Sequence, residues 1–79
     1  MNKVEFFLEG IEDKPVQSDY QVPTEVIIAN SVQEACKKLA KKHKMKLIDT
    51  ETLLNSPDYR SYFLNNKKKT YIFYVKTVS

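Results

Sequence analysis

Ser31-Val32-Gln33-Glu34-Ala35-Cys36-Lys37-Lys38-Leu39-Ala40-Lys41-Lys42-His43-Lys44 is the stretch that decides the fold. Val32, Ala35, Cys36, Leu39, Ala40 and His43 recur at intervals of three and four, which on an α-helix makes one stripe. Lys37, Lys38, Lys41, Lys42 and Lys44 fall on the other side. Ser31 with Glu34 three residues later is a capping box: the hydroxyl accepts from an orphan amide and the carboxylate reaches back. Glu34 also precedes Lys38 by four residues, the favourable order for an ion pair. Lysines at the far end suit the negative end of the helix dipole. The reading is an amphipathic helix, ending near Lys44, that docks a narrow apolar stripe and turns a cationic back to water.

Upstream, residues 3–10 alternate Val4, Phe6 and Leu8 against Glu5, Phe7 and Glu9, a strand with one buried face. Gly10, the only glycine, ends it. Residues 11–21 read as a polar loop, long for a hairpin connection. A second strand is expected over Val22 to Ala29, with Pro23 near its start, where a missing amide is tolerated. Its continuous run Val26-Ile27-Ile28 suggests cover on both sides or a central position.

Downstream, Met45 to Asp49 fits a short strand and Thr50 to Ser56 a connector. Ser56-Pro57-Asp58 could open a helix. Strand propensity instead favours a hairpin: Tyr59, Tyr62 and Phe63 match Tyr71 to Val75 across Asn65-Asn66-Lys67-Lys68-Lys69. Counting out from a loop at 65–69, or at 66–68, pairs Leu64 with Thr70, Phe63 with Tyr71, Ser61 with Phe73 and Tyr59 with Val75. The other side pairs Tyr62 with Ile72, Arg60 with Tyr74 and Asp58 with Lys76. One face (Tyr59, Phe63, Tyr71, Phe73, Val75) is then core. The other (Arg60, Tyr62, Tyr74, Lys76) is wet, basic and aromatic. The expected architecture is α+β in two layers over a single domain, 1–79: an antiparallel sheet of about four strands, order β-β-α-β-β, with one amphipathic helix on one face.

Composition narrows the function classes. The 79 residues are 42% hydrophobic and 29% charged, with nine aromatics, so a packed core is expected rather than disorder. One cysteine allows no internal disulfide. No apolar run is long enough to span a bilayer, and the acids Glu5 and Glu9 spoil a signal peptide. A cytoplasmic location is expected. Residues 1–30 hold six acids against two bases (−4), and residues 31–79 eleven bases against four acids (+7). Twelve of the thirteen bases are lysine, which argues against base-specific DNA reading, where arginine dominates. The Lys- and Asn-rich, Gly-poor composition points to AT-rich coding, as in phages and other mobile elements.

The catalytic inventory is thin. His43 is the only histidine and sits far from Cys36, so no metal set and no nucleophile–base pair is expected. Cys36, mid-stripe, reads as a small buried hydrophobe. One glycine leaves no phosphate-cradling loop. The pairs Glu12-Asp13 and Asp49 with Glu51 fall in connector sequence and read as solvated acids. No enzyme activity, cofactor or metal is expected.

Two binding surfaces remain: the lysine face (Lys37, Lys38, Lys41, Lys42, Lys44) and the hairpin face (Arg60, Tyr62, Tyr74, Lys76). The apolar stripe is too small for membrane binding. The leading expectation is a non-enzymatic module, a regulator or inhibitor that docks on a larger protein. The alternative is a nucleic-acid-binding accessory protein that lays lysines on phosphates or stacks bases on the aromatic face. Pairing of the aromatic-rich terminal strand with another chain, or homodimerisation through an edge strand, is a further option.

Overall fold

The computed structural model describes residues 2–12, 14–17 and 21–78. Strand β1 (Asn2–Ile11) turns through Glu12 into the two-residue strand β2 (Lys14–Pro15). Strand β3 (Glu25–Ala29), helix α1 (Val32–Lys42) and strands β4 (Lys46–Thr52), β5 (Tyr59–Leu64) and β6 (Thr70–Val78) follow. All six strands form one antiparallel sheet with α1 on one face. The α+β, two-layer reading holds, with six strands in place of about four.

The sheet runs β1-β6-β5-β4, and the outer side of β1 is shared by β3 and β2. Residues 2–6 of β1 pair with β3, and residues 10–11 with β2. Between them Thr24 N donates to the Phe6 carbonyl at 2.8 Å and Val16 N to the Glu9 carbonyl at 2.8 Å. Helix α1 thus carries the chain from one sheet edge, β3, to the other, β4.

The expected hairpin is present residue for residue. Leu64 pairs with Thr70, Phe63 with Tyr71, Tyr62 with Ile72, Ser61 with Phe73, Arg60 with Tyr74 and Tyr59 with Val75. Its turn is the shorter of the two loops: Asn65 N bonds the Lys69 carbonyl, and Lys68 takes positive φ. That is a type I turn followed by a left-handed residue. Asp58 does not reach Lys76. Glu5 of β1 stands opposite Lys76 instead.

Helix α1 is capped as its sequence demands, with one change. Glu34 N bonds Ser31 Oγ at 3.1 Å, but the Glu34 carboxylate accepts from Asn30 N, one residue further back than the capping box requires. Its buried stripe is Ala35, Cys36, Leu39 and Ala40, with Val32 partly covered. These pack on Val4, Phe6, Phe63, Phe73 and Val75. The Phe73 ring takes Phe6 and Phe63 edge-on, with centroids 6.0 and 5.6 Å away.

Several expectations are corrected. Val26-Ile27-Ile28 lies on an edge strand, with Ile28 49% exposed, because β1 is already paired with β6 on its other side. The loop after Gly10 contains β2, and residues 18–20 lie outside the described part. The second strand begins at Glu25, not Val22. Strand β4 runs on to Thr52: a bulge between Leu47 and Asp49 breaks its alternation and hid the strand in what read as connector. Asp49 and Glu51 are therefore strand residues. Phe7, grouped with the solvated face, is 2% exposed and stacks edge-on with Tyr74. His43 lies one residue beyond the helix with its side chain 45% exposed, so the buried stripe stops at Ala40. Strand β6 is flanked by β1 and β5, so it offers no edge to another chain.

Candidate binding surface

The chain turns out of α1 in a Schellman motif. Met45 N bonds the Ala40 carbonyl at 2.7 Å, Lys44 N bonds that of Lys41 at 3.3 Å, and Lys44 has φ 55°. This turn drops Lys46 directly into β4, where it pairs with Leu64 at the end of β5. The β5–β6 turn starts one residue later and carries Lys67, Lys68 and Lys69. Strand order alone therefore brings the last turn of α1, the start of β4 and the lysine turn to one end of the molecule.

The five lysines of residues 37–44, the last of them beyond the helix end, divide into two groups. Lys38 Nζ bonds the Ile28 carbonyl at 2.9 Å and lies 3.5 Å from Glu34. Lys42 Nζ lies 2.5 Å from Glu25 Oε2. Among the described residues, Lys37, Lys41 and Lys44 are exposed and make no ion pair, and the same holds for Lys46 and Lys67 to Lys69. The sequence pointed to the helix lysines but missed Lys46 and Lys67 to Lys69. The hairpin register placed the lysine turn correctly, but only the pairing of Lys46 with Leu64 ties that turn to the helix.

Inside this cationic end opens a cleft of about 340 Å³. Leu8, Leu39, Met45, Tyr71 and Phe73 give it an apolar lining, and Thr24, Glu25, His43, Asn65 and Asn66 add polar groups. Its volume lies within the range of about 300–1,000 Å³ found for ligand sites. Glu25, at the first position of β3, is held by both Lys42 and His43, the latter at 3.1 Å. The Lys42 hydrogen bond, outweighing partial burial and aided by His43, keeps the Glu25 carboxyl below its ordinary value. Asn65 Oδ1 accepts from Lys67 N and Lys69 N, which fixes the turn at the cleft mouth.

The hairpin face differs from its expectation. Arg60 Nε lies 3.0 Å from Glu9 Oε1, and Arg60 Nη1 lies 3.9 Å from Glu51. The Glu9 hydrogen bond raises the Arg60 pKa. Tyr62 donates to Glu51 at 2.6 Å and Tyr74 donates to Asp58, and each bond raises the phenol pKa. Lys76 is exposed, opposite Glu5. Three of the four residues singled out there are thus engaged with carboxylates, and the face is mixed in charge rather than basic.

Cys36 is fully buried, its Sγ 3.1 Å from Ser61 Oγ, and burial pushes its thiol pKa up. Thr50 Oγ1 completes the set, 3.4 Å from Ser61 Oγ. Ser61 is the one fully buried polar residue among those described, and the sequence left it off the core. This trio ties α1 to β4 and β5, and burial with a raised pKa keeps the Cys36 thiol from acting as a nucleophile. Among the described residues, no group of three His, Cys, Asp or Glu side chains could hold a metal ion. No described helix is long and apolar enough to cross a membrane. No family model, no curated protein and no solved structure matches this chain.

Proposed function

We propose that the protein is a non-enzymatic binding module, a regulator or inhibitor that docks the lysine-rich end onto an acidic surface of a larger protein. The observation that carries this is the gathering of Lys41, Lys44, Lys46 and Lys67 to Lys69 at one end, none engaged in an ion pair among the described residues. Such a field steers an anionic partner and fixes its orientation. A second observation supports it: Lys44 and Lys68 both have positive φ, where glycine or asparagine is the favoured residue, yet lysine stands at each. A protein is favoured over nucleic acid by chemistry. The end has no arginine for bidentate phosphate or base contacts and encloses a half-apolar cleft whose Leu8, Leu39, Met45, Tyr71 and Phe73 a phosphate backbone leaves uncovered.

The test is amide chemical-shift mapping with three probes: a 20-residue glutamate- and aspartate-rich peptide, a 20-nucleotide single strand and a 20-base-pair duplex. Saturable shifts centred on Lys41 to Lys46 and Lys67 to Lys69, with the peptide and at 150 mM salt, are expected. The triple variant Lys41→Glu, Lys44→Glu, Lys68→Glu should lose them while staying folded. Shifts centred elsewhere overturn the reading. Binding of either oligonucleotide at that salt, with none of the peptide, replaces it with the nucleic-acid alternative.

A further inference from the structure

We infer that the cleft beside His43 and Met45 is an anchor pocket for one apolar side chain, an aromatic ring, carried on the partner's acidic segment. The inference rests on the docking reading above and adds the chemistry of the contact. Leu39 and Phe73 close the bottom of the cleft, and Met45 lines one wall. Met45 is held by the Schellman turn and only partly covered, and a flexible thioether adapts to a ring laid against it. Buried aromatic anchors in pockets dominate protein–protein affinity, while surrounding contacts mainly exclude water.

Charge complementarity sets the flanking residues. Two of the lining segments run straight into lysine: His43 and Met45 flank Lys44, and Asn66 precedes Lys67. A ring seated in the cleft would have ammonium groups beside it at those two segments, while Leu8, Thr24 and Glu25 line the part formed by β1 and β3. Glu25 is the one carboxylate in the lining, and Lys42 and His43 already hold it. It adds little repulsion to an acidic segment. The other grooves fit this role less well. One beside the helix N-terminus has few bases near it, and one on the opposite sheet face is lined by the paired Arg60 and Glu9.

The test uses four peptides of one length: acidic flanks around a central phenylalanine, the same flanks around alanine, and both centres with Gly/Ser flanks. The acidic phenylalanine peptide is expected to bind about tenfold more tightly than the acidic alanine peptide. It should also shift the methyl resonances of Leu39 and Met45 by ring current. Asn66→Trp, which places a ring of the protein's own at the cleft mouth, should erase the tenfold difference and leave the salt-dependent remainder. Equal binding of both acidic peptides overturns the anchor and leaves the docking surface standing. Equal binding of both phenylalanine peptides, whatever their flanks, overturns the acidic partner and keeps a bare apolar pocket. Binding of none of the four overturns both readings.

Discussion

Glu12, Lys44, Asn55 and Lys68 all adopt positive φ, in a chain whose one glycine, Gly10, does not. A left-handed backbone costs a residue with a Cβ roughly 1–2 kcal/mol. Lys44→Gly and Lys68→Gly are therefore each expected to stabilise the fold by about 1 kcal/mol, read as a rise in the urea midpoint. Each should at the same time weaken the acidic-peptide complex by removing a charge. A variant that gains stability and loses binding separates the two roles of one position. Ser61 is the opposite case: its hydroxyl satisfies itself on Cys36 and Thr50 in a fully buried site. Ser61→Ala should cost about 1 kcal/mol in the same titration, and the Cys36 thiol should remain unreactive to a soluble disulfide reagent in the folded state.

Among the elements, α1 is locked to both ends of β3. Lys38 bonds the Ile28 carbonyl near one end, and Lys42 and His43 hold Glu25 at the other. Because Glu25 has a lowered pKa in the fold, its contribution is fully present above the ordinary carboxyl value. It is lost as the pH falls through the depressed one. Glu25→Gln should accordingly lie about 1 kcal/mol below the parent at pH 7, and the difference should close as the pH falls below the ordinary carboxyl range, followed by denaturation at a series of pH values. The Lys38 contact has a second consequence. An ammonium on the outward carbonyl of an edge strand blocks pairing by a further strand, and the bulge at Asp49 does the same on β4, where Asp49 Oδ1 takes Thr50 N. Lys38→Ala should raise self-association, seen by sedimentation, with little loss of stability.

These contacts mark how far the sequence reads. The helix, its Ser31 cap and the 59–75 register follow from spacing alone, because each depends on neighbours a few residues away. The place of β3 does not, since an apolar run looks alike at the centre and the edge of a sheet. The first part of strand β4 is legible, and its continuation over residues 50–52 is lost to a single extra residue at its bulge. The lysine surface was half visible: residues 37–44 carry their own periodicity, whereas Lys46 and Lys67 to Lys69 join it only through a pairing between distant segments. For the same reason the hairpin face looked basic, since Glu9 and Glu51, which neutralise Arg60, come from β1 and β4.

At the scale of the molecule, the lysine cluster occupies one end of the sheet. Lys41, Lys44, Lys46 and Lys67 to Lys69 collect where α1 ends, and Asp58, on the hairpin's far side, accepts from Tyr74. Association at the lysine end should slow steeply with salt, by more than tenfold in on-rate between about 50 and 300 mM, while dissociation changes less; stopped-flow mixing with the acidic peptide reads both.

The longest ladder in the sheet pairs β1 with β6, setting Lys3 opposite Val78 and Ile11 opposite Tyr71. During synthesis, the first strand leaves the ribosome with its eventual neighbour still untranslated. Val4 and Phe6 can meet β3 and α1 earlier, but Phe7 must wait for Tyr74, across almost the whole chain. Refolding in milliseconds to seconds is the pace that so non-local a closure sets. A nascent chain stalled before β6 emerges should remain protease-sensitive and bind chaperones.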